Sequence, residues 1–403
     1  MRFNKKLLKK YAKVLTSYAL NNGKGIKKGE TAWVYAQQCS EPLFKAVCEE
    51  IWKAGGNVIP RFVPNWMDRY GMNRPQLELA SDTQLQFLPN DYWEGIVKAS
   101  DHFVFLMAQP NVHSLEGIPS EKVKLLEASK MPFMNMRYAK EHRGKLSWTL
   151  CLYPTKSGAK EAGMTLDEYC DQIINACYLR EDDPVAKWRE IEAEINVTKQ
   201  KLDALKIKKI HIAGEDANLH ITIGENRKWL GGGGHNIPSY EIFTSPDWRG
   251  TQGWMRFNKP LFNNGKRIEG IYLRFENGLI VEATATMNQD ALQAMISQPN
   301  ANRIGEFSWT PAGFSPINKF MAHTLFDENT SGEYGNTHIA LGRAYTEAFT
   351  GDSSTQTLAD WESLGFNNSV VHTDIISTTN RTITATLEDG NTFVAYKDGK
   401  FLI

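Results

Sequence analysis

Apolar residues along the first part of the chain recur first at helical and then at strand spacing. Leu7, Leu8, Tyr11, Val14, Leu15 and Tyr18 fall on one face of a helix over residues 5–20. A glycine-rich turn from Asn21 to Gly29 leads into a short strand from Thr31 to Ala36. Ser40 is placed to cap a helix from Glu41 to Ala54, which Gly55-Gly56 ends, and the next strand runs from Asn57 to Phe62. The apolar stretch from Asp101 to Met107 predicts a buried strand, followed by a helix from Pro119 to Lys130 and a strand from Lys145 to Cys151. Strand and helix alternating in this way predict an α/β N-terminal domain with a mostly parallel sheet.

Thr165 caps a helix reaching Leu179, and Pro184 sits in the first turn of a longer one that extends to about Lys206. Trp188, Ile191, Ile195 and Leu202 form its apolar stripe. This helix is the connector, and it divides the chain into residues 1–190 and 191–403. Beyond it the texture changes. Ile210 and Ile212, then Leu219, Ile221 and Ile223, alternate with polar residues as in half-buried strands. Glu276-Asn277-Gly278 and Glu388-Asp389-Gly390-Asn391 each separate two strand-like runs, which predicts two hairpins. Residues 289–297 and 358–363 have helical texture. The second half therefore reads as an α+β, strand-rich C-terminal domain. Within it, Thr337 to Tyr345 combines His338, a run of small residues and Tyr345; if the segment is helical, His338 and Tyr345 lie on one face two turns apart.

Charge and composition narrow the classes. The 403 residues carry a formal net charge of 0, so no bulk attraction to nucleic acid or to an anionic membrane is expected. No apolar run approaches the ~18 residues needed to cross a bilayer. The lysine-rich N-terminus lacks the apolar core of a signal peptide, so a soluble cytoplasmic protein is expected. The five cysteines are odd in number and never form a CxxC pair, which argues against a disulfide framework and against a structural zinc site. The glycine run in Trp229 to His235 has neither a GxGxxG register before a helix nor a following Gly-Lys-Ser/Thr. It reads as a loop that lets backbones approach closely rather than as a nucleotide cradle.

Candidate chemistry lies in the second half. Glu241 follows Pro238 in a segment that turns extended, and Glu306 sits between Gly305 and Phe307. Glu328 and His338 follow. His372 and Asp374, two apart on a strand after Val370-Val371, point the same way. Four carboxylates and two imidazoles are about what a pair of adjacent divalent ions needs.

Taken in order, these segments resemble the thermophilic-type aminopeptidases of peptidase family M29, which are dinuclear metallo-aminopeptidases. The matching stretches are Asn236 to Pro246, Arg303 to Phe307, Thr324 to Asn329, His338 to Tyr345 and His372 to Asp374, with looser likeness in the N-terminal half. The resemblance implies Glu241, Glu306, Glu328, His338, His372 and Asp374 as metal ligands. Glu241, His372 and Asp374 would serve one ion, Glu328 and His338 the other, with Glu306 near both. It further implies Tyr345 as a weak ligand or hydrogen-bond donor, with Glu306 and Tyr345 as catalytic residues. Two divalent ions (zinc, cobalt or manganese), short peptide substrates and a homodimer with enclosed active sites follow from the same likeness. Two features depart from the family pattern. Tyr240 stands where a glycine is usual, with bulk that would bear on the site entrance. The stretch around residues 330–335 is longer, which brings in Glu333 as a competitor to Glu328. These departures motivate the alternative of a catalytically silent binding or assembly protein on the same fold.

Overall fold

The computed structural model describes residues 3–67, 74–263 and 265–403. The chain forms two compact units, Met1–Glu192 with Gly233–Ser239, and Ala193–Gly232 with Tyr240–Ile403. The connector helix Pro184–Ala204 contains the point of division.

In the first unit, strands β1 (Thr31–Gln37), β2 (Asn57–Val63), β3 (His102–Met107) and β4 (Ser147–Leu152) are ordered β2-β1-β3-β4, and the short strand Asn236–Ile237 adds at the β4 edge. Every one of these pairings is parallel. All six residues of β3 are buried, which is why this central strand reads as a continuous apolar run. Ser40 sits at the start of helix Glu41–Lys53 but makes no capping hydrogen bond, because its hydroxyl donates to the Gln37 carbonyl oxygen instead. Other flanking helices begin where a side chain satisfies free N–H groups. Asn4 accepts from Leu7 ahead of helix Lys5–Ser17, and Thr165 with Glu168 forms a capping box ahead of Leu166–Ala176.

The second unit holds two large antiparallel sheets and a two-stranded antiparallel ribbon, Leu261–Asn263 with Lys266–Ile268. The strands of the two large sheets are β5 (Ile207–Gly214), β6 (Ala217–Thr222), β7 (Ile242–Thr244), β8 (Asp247–Arg256), β9 (Tyr272–Glu276), β10 (Leu279–Thr284), β11 (Ile304–Thr310), β12 (Asn336–Gly342), β13 (His372–Ser377), β14 (Thr382–Leu387) and β15 (Thr392–Lys397). The larger sheet runs β10-β9-β8-β6-β5-β14-β15, ending on Lys400–Phe401, and contains both predicted hairpins. The smaller sheet has the order β13-β12-β11-β7. The mostly parallel first sheet and the strand-rich second half agree with the architecture expected from the hydrophobic pattern.

The helical option for Thr337 to Tyr345 is closed, because Asn336–Gly342 is a strand with neighbours on both edges. Its small residues mask the periodicity. Ile339 and Leu341 face one way, and His338, Ala340 and Gly342 the other, which is a period of two rather than of helical turns. The strand ends at Gly342, whose φ of 97° turns the chain toward Tyr345.

No helix of the described residues is long and apolar enough to cross a membrane. All five cysteines are free, and four of them are buried.

Candidate metal centre

The smaller sheet is the scaffold. On β11 and β12 the register steps from Ile304 opposite Leu341 to Glu306 opposite Ala340, so Gly305 is an extra residue in a bulge. A Cβ there would lie 2.3 Å from the Arg343 carbonyl oxygen and 2.4 Å from that of Gly342, so only glycine permits the bulge. The shift aligns Glu306, Ala340 and Asp374 in one row across three strands. Ser308 and His338 are opposed in the adjacent row, and His372 is opposite Gly342. The alternation of strands puts all of these on one face. Ala340 and Gly342 keep its middle free of bulk.

Glu241 comes from the residue just before β7. Gly231 lies against it, since a Cβ at Gly231 would sit 2.4 Å from the Glu241 carbonyl oxygen. Leu230 and Phe243 exchange backbone hydrogen bonds of 2.7 and 3.0 Å beside it. Part of the glycine run thus provides the close backbone approach expected of it, at the edge of the site.

His338 Nε2 lies 3.2 Å from Glu241 Oε2, 3.4 Å from Glu306 Oε1 and 3.9 Å from Asp374 Oδ1. His372 Nε2 lies 3.6 Å from Glu306 Oε2 and 3.5 Å from Asp374 Oδ1. Two groups of potential ligand atoms follow, Glu241 with Glu306 and His338, and Glu306 with His372 and Asp374, each spanning no more than 4.8 Å. Glu306 belongs to both, and a different oxygen faces each imidazole. These groups put Glu241 with His338, not with His372 and Asp374 as the resemblance divides them. Glu328, just beyond the short helix Thr324–Asp327, is buried and lies close enough to Asp374, Glu241 and Glu306 to feel their charge. Its Oε1 accepts from Asn329 Nδ2 at 3.2 Å. Glu333 is exposed.

A second tier of polar groups holds these side chains. Ser308 Oγ donates to Glu241 Oε2 at 3.1 Å. His372 Nδ1 is 2.8 Å from the Arg343 carbonyl oxygen, to which it donates. Asn336 Oδ1 is 3.4 Å from His338 Nδ1. Sequence reasoning passed over Ser308 and Asn336. Each lies two residues along a strand from a singled-out residue, so a strand reading of both segments would have put them on the same face.

Charge is concentrated here with little water to relieve it. Burial pushes the Glu306 carboxyl up to about 7 against the opposing pull of the His338 ring, and Glu241 and Asp374 add to the rise. Burial, with the neighbouring carboxylates behind it, also drives Glu328 well above its usual range. For the imidazoles burial works downward, but the carboxylates outweigh it and raise His338 to about 10 and His372 to about 9. Burial would raise Asp374, yet His372 and His338 hold it below its ordinary value. His338 is fully buried, and its Nε2 has no hydrogen-bond partner. A buried nitrogen without a partner among four carboxylates of 3–5% exposure is poorly satisfied by protein alone. Oxygen and imidazole donors of this kind fit divalent cations, so the residues present suit a metal centre.

Tyr345 reaches the site from beyond the Gly342 turn. Its ring packs edge-on to His372 at 4.8 Å and to Phe243 at 5.6 Å, and its N–H donates to Ser245 Oγ at 2.7 Å. Burial, followed by Glu306 and Asp374, raises its hydroxyl well above the usual value. Tyr240 is fully buried and packs edge-on to Phe314 at 6.0 Å, so its bulk does not stand in solvent at the site. Its N–H donates to Asn329 Oδ1 at 2.6 Å, which ties the residue before Glu241 to the residue after Glu328.

The family described as thermophilic metalloprotease (M29) matches residues 4–401. The chain belongs to this family. As a member it is a metal-dependent peptide-bond hydrolase. Among its relatives, aminopeptidase T of Thermus aquaticus is 25% identical over 96% of this chain and 98% of its own length. Aminopeptidase PepS of Streptococcus thermophilus is 26% identical over 99% and 98%. The solved structure of wild-type AmpT from Thermus thermophilus superposes with a TM-score of 0.82 at 24% identity, covering 99% of this chain and 100% of that one, a likeness of fold.

Proposed function

We propose that this M29 protein is an aminopeptidase that removes N-terminal residues from short peptides at a centre of two divalent ions. The observation that carries the reading is Glu306, whose two oxygens face two different imidazoles 3.4 and 3.6 Å away. A carboxylate shared by two ligand groups would serve both ions of a pair. Glu241 and His338 would complete one side, and His372 and Asp374 the other, with Glu328 adjoining Asp374. The names of the relatives, and the orphaned Nε2 of His338, support the same reading.

Bound there, two divalent cations supply Lewis-acid polarisation of the scissile carbonyl and lower the pKa of a water toward about 7. The side chains do the rest. Ser308 orients Glu241, and the Arg343 carbonyl turns the His372 lone pair inward. A carboxylate oxygen of Glu306 or Glu241 not engaged by an ion would take the proton from the attacking water and return it to the departing amine. Tyr345, whose hydroxyl stays protonated at neutral pH, donates to the oxygen on which negative charge develops. Zinc, cobalt and manganese all suit the donor set. A cytoplasmic homodimer is part of this proposal, and the five free thiols are in keeping with a reducing compartment.

The test is release of amino acids from peptides with free N-termini. His338→Ala and Asp374→Ala should each lose most activity, and a chelator should abolish it in the parent. Full activity in both variants with unchanged metal content would overturn the assignment.

A further inference from the structure

We propose that Asn336 is a positioning residue of the centre, fixing which ring nitrogen His338 presents and tying that ring to the segment carrying Glu328. The proposal rests on the metal-centre reading above. Asn336 and His338 are two apart on β12 and share a face. Asn336 is fully buried. Its Nδ2 donates to the Glu328 carbonyl oxygen at 2.6 Å. A carbonyl oxygen can only accept, so the amide cannot be flipped without opposing two acceptors. Oδ1 is therefore the atom that faces His338 Nδ1, at the long end of hydrogen-bond range, 3.4 Å. An acceptor there requires Nδ1 to carry a hydrogen. When the ring is neutral its lone pair is then on Nε2, the nitrogen 3.2 Å from Glu241 and 3.4 Å from Glu306.

His372 shows the same logic through a different device. Its Nδ1 donates to the backbone carbonyl of Arg343 at 2.8 Å, leaving Nε2 to face Glu306 and Asp374. One imidazole is aimed by main chain, the other by a side chain. Asn336 also joins two ligand-bearing segments that are not neighbours in the sheet, since it holds the backbone of Glu328 with one end of its amide and His338 with the other.

The experiment uses the full chain loaded with Co(II), with 15N-labelled histidine, and compares Asn336→Leu with Asn336→Asp. Leucine keeps the volume and removes both contacts. Aspartate keeps an acceptor for Nδ1–H and drops the donor to Glu328. In the parent, each ligand imidazole should give a hyperfine-shifted, slowly exchanging N–H signal, the His338 signal being assigned by its loss in His338→Gln. Asn336→Leu should lose that signal to exchange, keep the one from His372, and bind Co(II) roughly 10–100-fold more weakly in chelator competition. Asn336→Asp should retain the signal. Circular dichroism of the metal-free variants checks folding, and if the leucine variant does not fold, the aspartate variant decides alone. A leucine variant with parental affinity and both signals would overturn the proposal. An aspartate variant lacking the His338 signal would do the same. Parent protein that takes up no Co(II) overturns the metal centre itself, which separates that failure from this one.

Discussion

Returning ions to chelator-stripped protein should release protons, and the amount follows from the charges of the site. Without metal, His338 sits at about 10 and His372 at about 9, so both rings are imidazolium at neutral pH. An imidazolium has no lone pair to give. Each ring must shed its proton on loading, and Glu328, held well above its usual value, must shed one too if it ligates. Each proton costs about 1.4 kcal/mol per pH unit below its pKa. Two imidazoles therefore make the logarithm of the apparent dissociation constant for the loaded pair fall by about two per pH unit from about pH 7 to about 9, and flatten toward about 10. Glu306, near 7, steepens the lower part of that range. Titration calorimetry in buffers of different ionisation enthalpy counts the protons, and chelator competition across pH gives the slope. The same shifts act on stability. The imidazole values lie above the unfolded value of about 6.5, so their stabilisation of metal-free protein is complete below about 6.5 and lost as pH rises through about 9 to 10. The buried Glu306 carboxyl, also raised, lowers stability as pH climbs from about 4.5 to about 7, in the same direction. Loading without proton release, with affinity flat from about pH 7 to about 9, would refute this description of the metal-free site.

Two substitutions probe the geometry of the sheet face. Ala340→Leu puts bulk in the row between Glu306 and Asp374, at an overpacking cost of about 1–3 kcal/mol. Metal content by elemental analysis should drop sharply while circular dichroism stays that of a folded chain. Glu328→Gln should weaken metal binding and activity by about tenfold or more, whereas Glu333→Gln, at an exposed position, should leave both within about twofold of the parent. Chelator competition and peptide assays on the pair would expose a reversal of these roles.

Much of the architecture was legible because the local signals agreed. The apolar run at His102–Met107 reads as a buried parallel strand and is one, and the turn at Asn277-Gly278 reads as a hairpin and is one. The segment Thr337 to Tyr345 stays open between helix and strand in the sequence because alanine and glycine carry no strand preference and mask an alternation of period two. That has a chemical consequence, since only the strand pairs Asn336 with His338 on one face. Ser308 was hidden for a related reason: a serine between two aromatic residues carries no signal until Glu306 is known to share its face. Six candidate ligands were visible as residue types. Their grouping was not, because the Gly305 bulge sets which strand residues align, and a bulge is written in the register between strands rather than in either strand alone.

Metal content and exopeptidase action, measured on one preparation of the parent protein, test the central claim most directly. The account predicts about two divalent ions per chain and release of N-terminal residues from short peptides, with blocked N-termini left intact. Ions and activity should disappear together on chelation and return together on reloading. Hydrolysis that persists in metal-free protein would contradict it, and so would a fully loaded chain that leaves free peptides uncut, the behaviour of a catalytically silent relative.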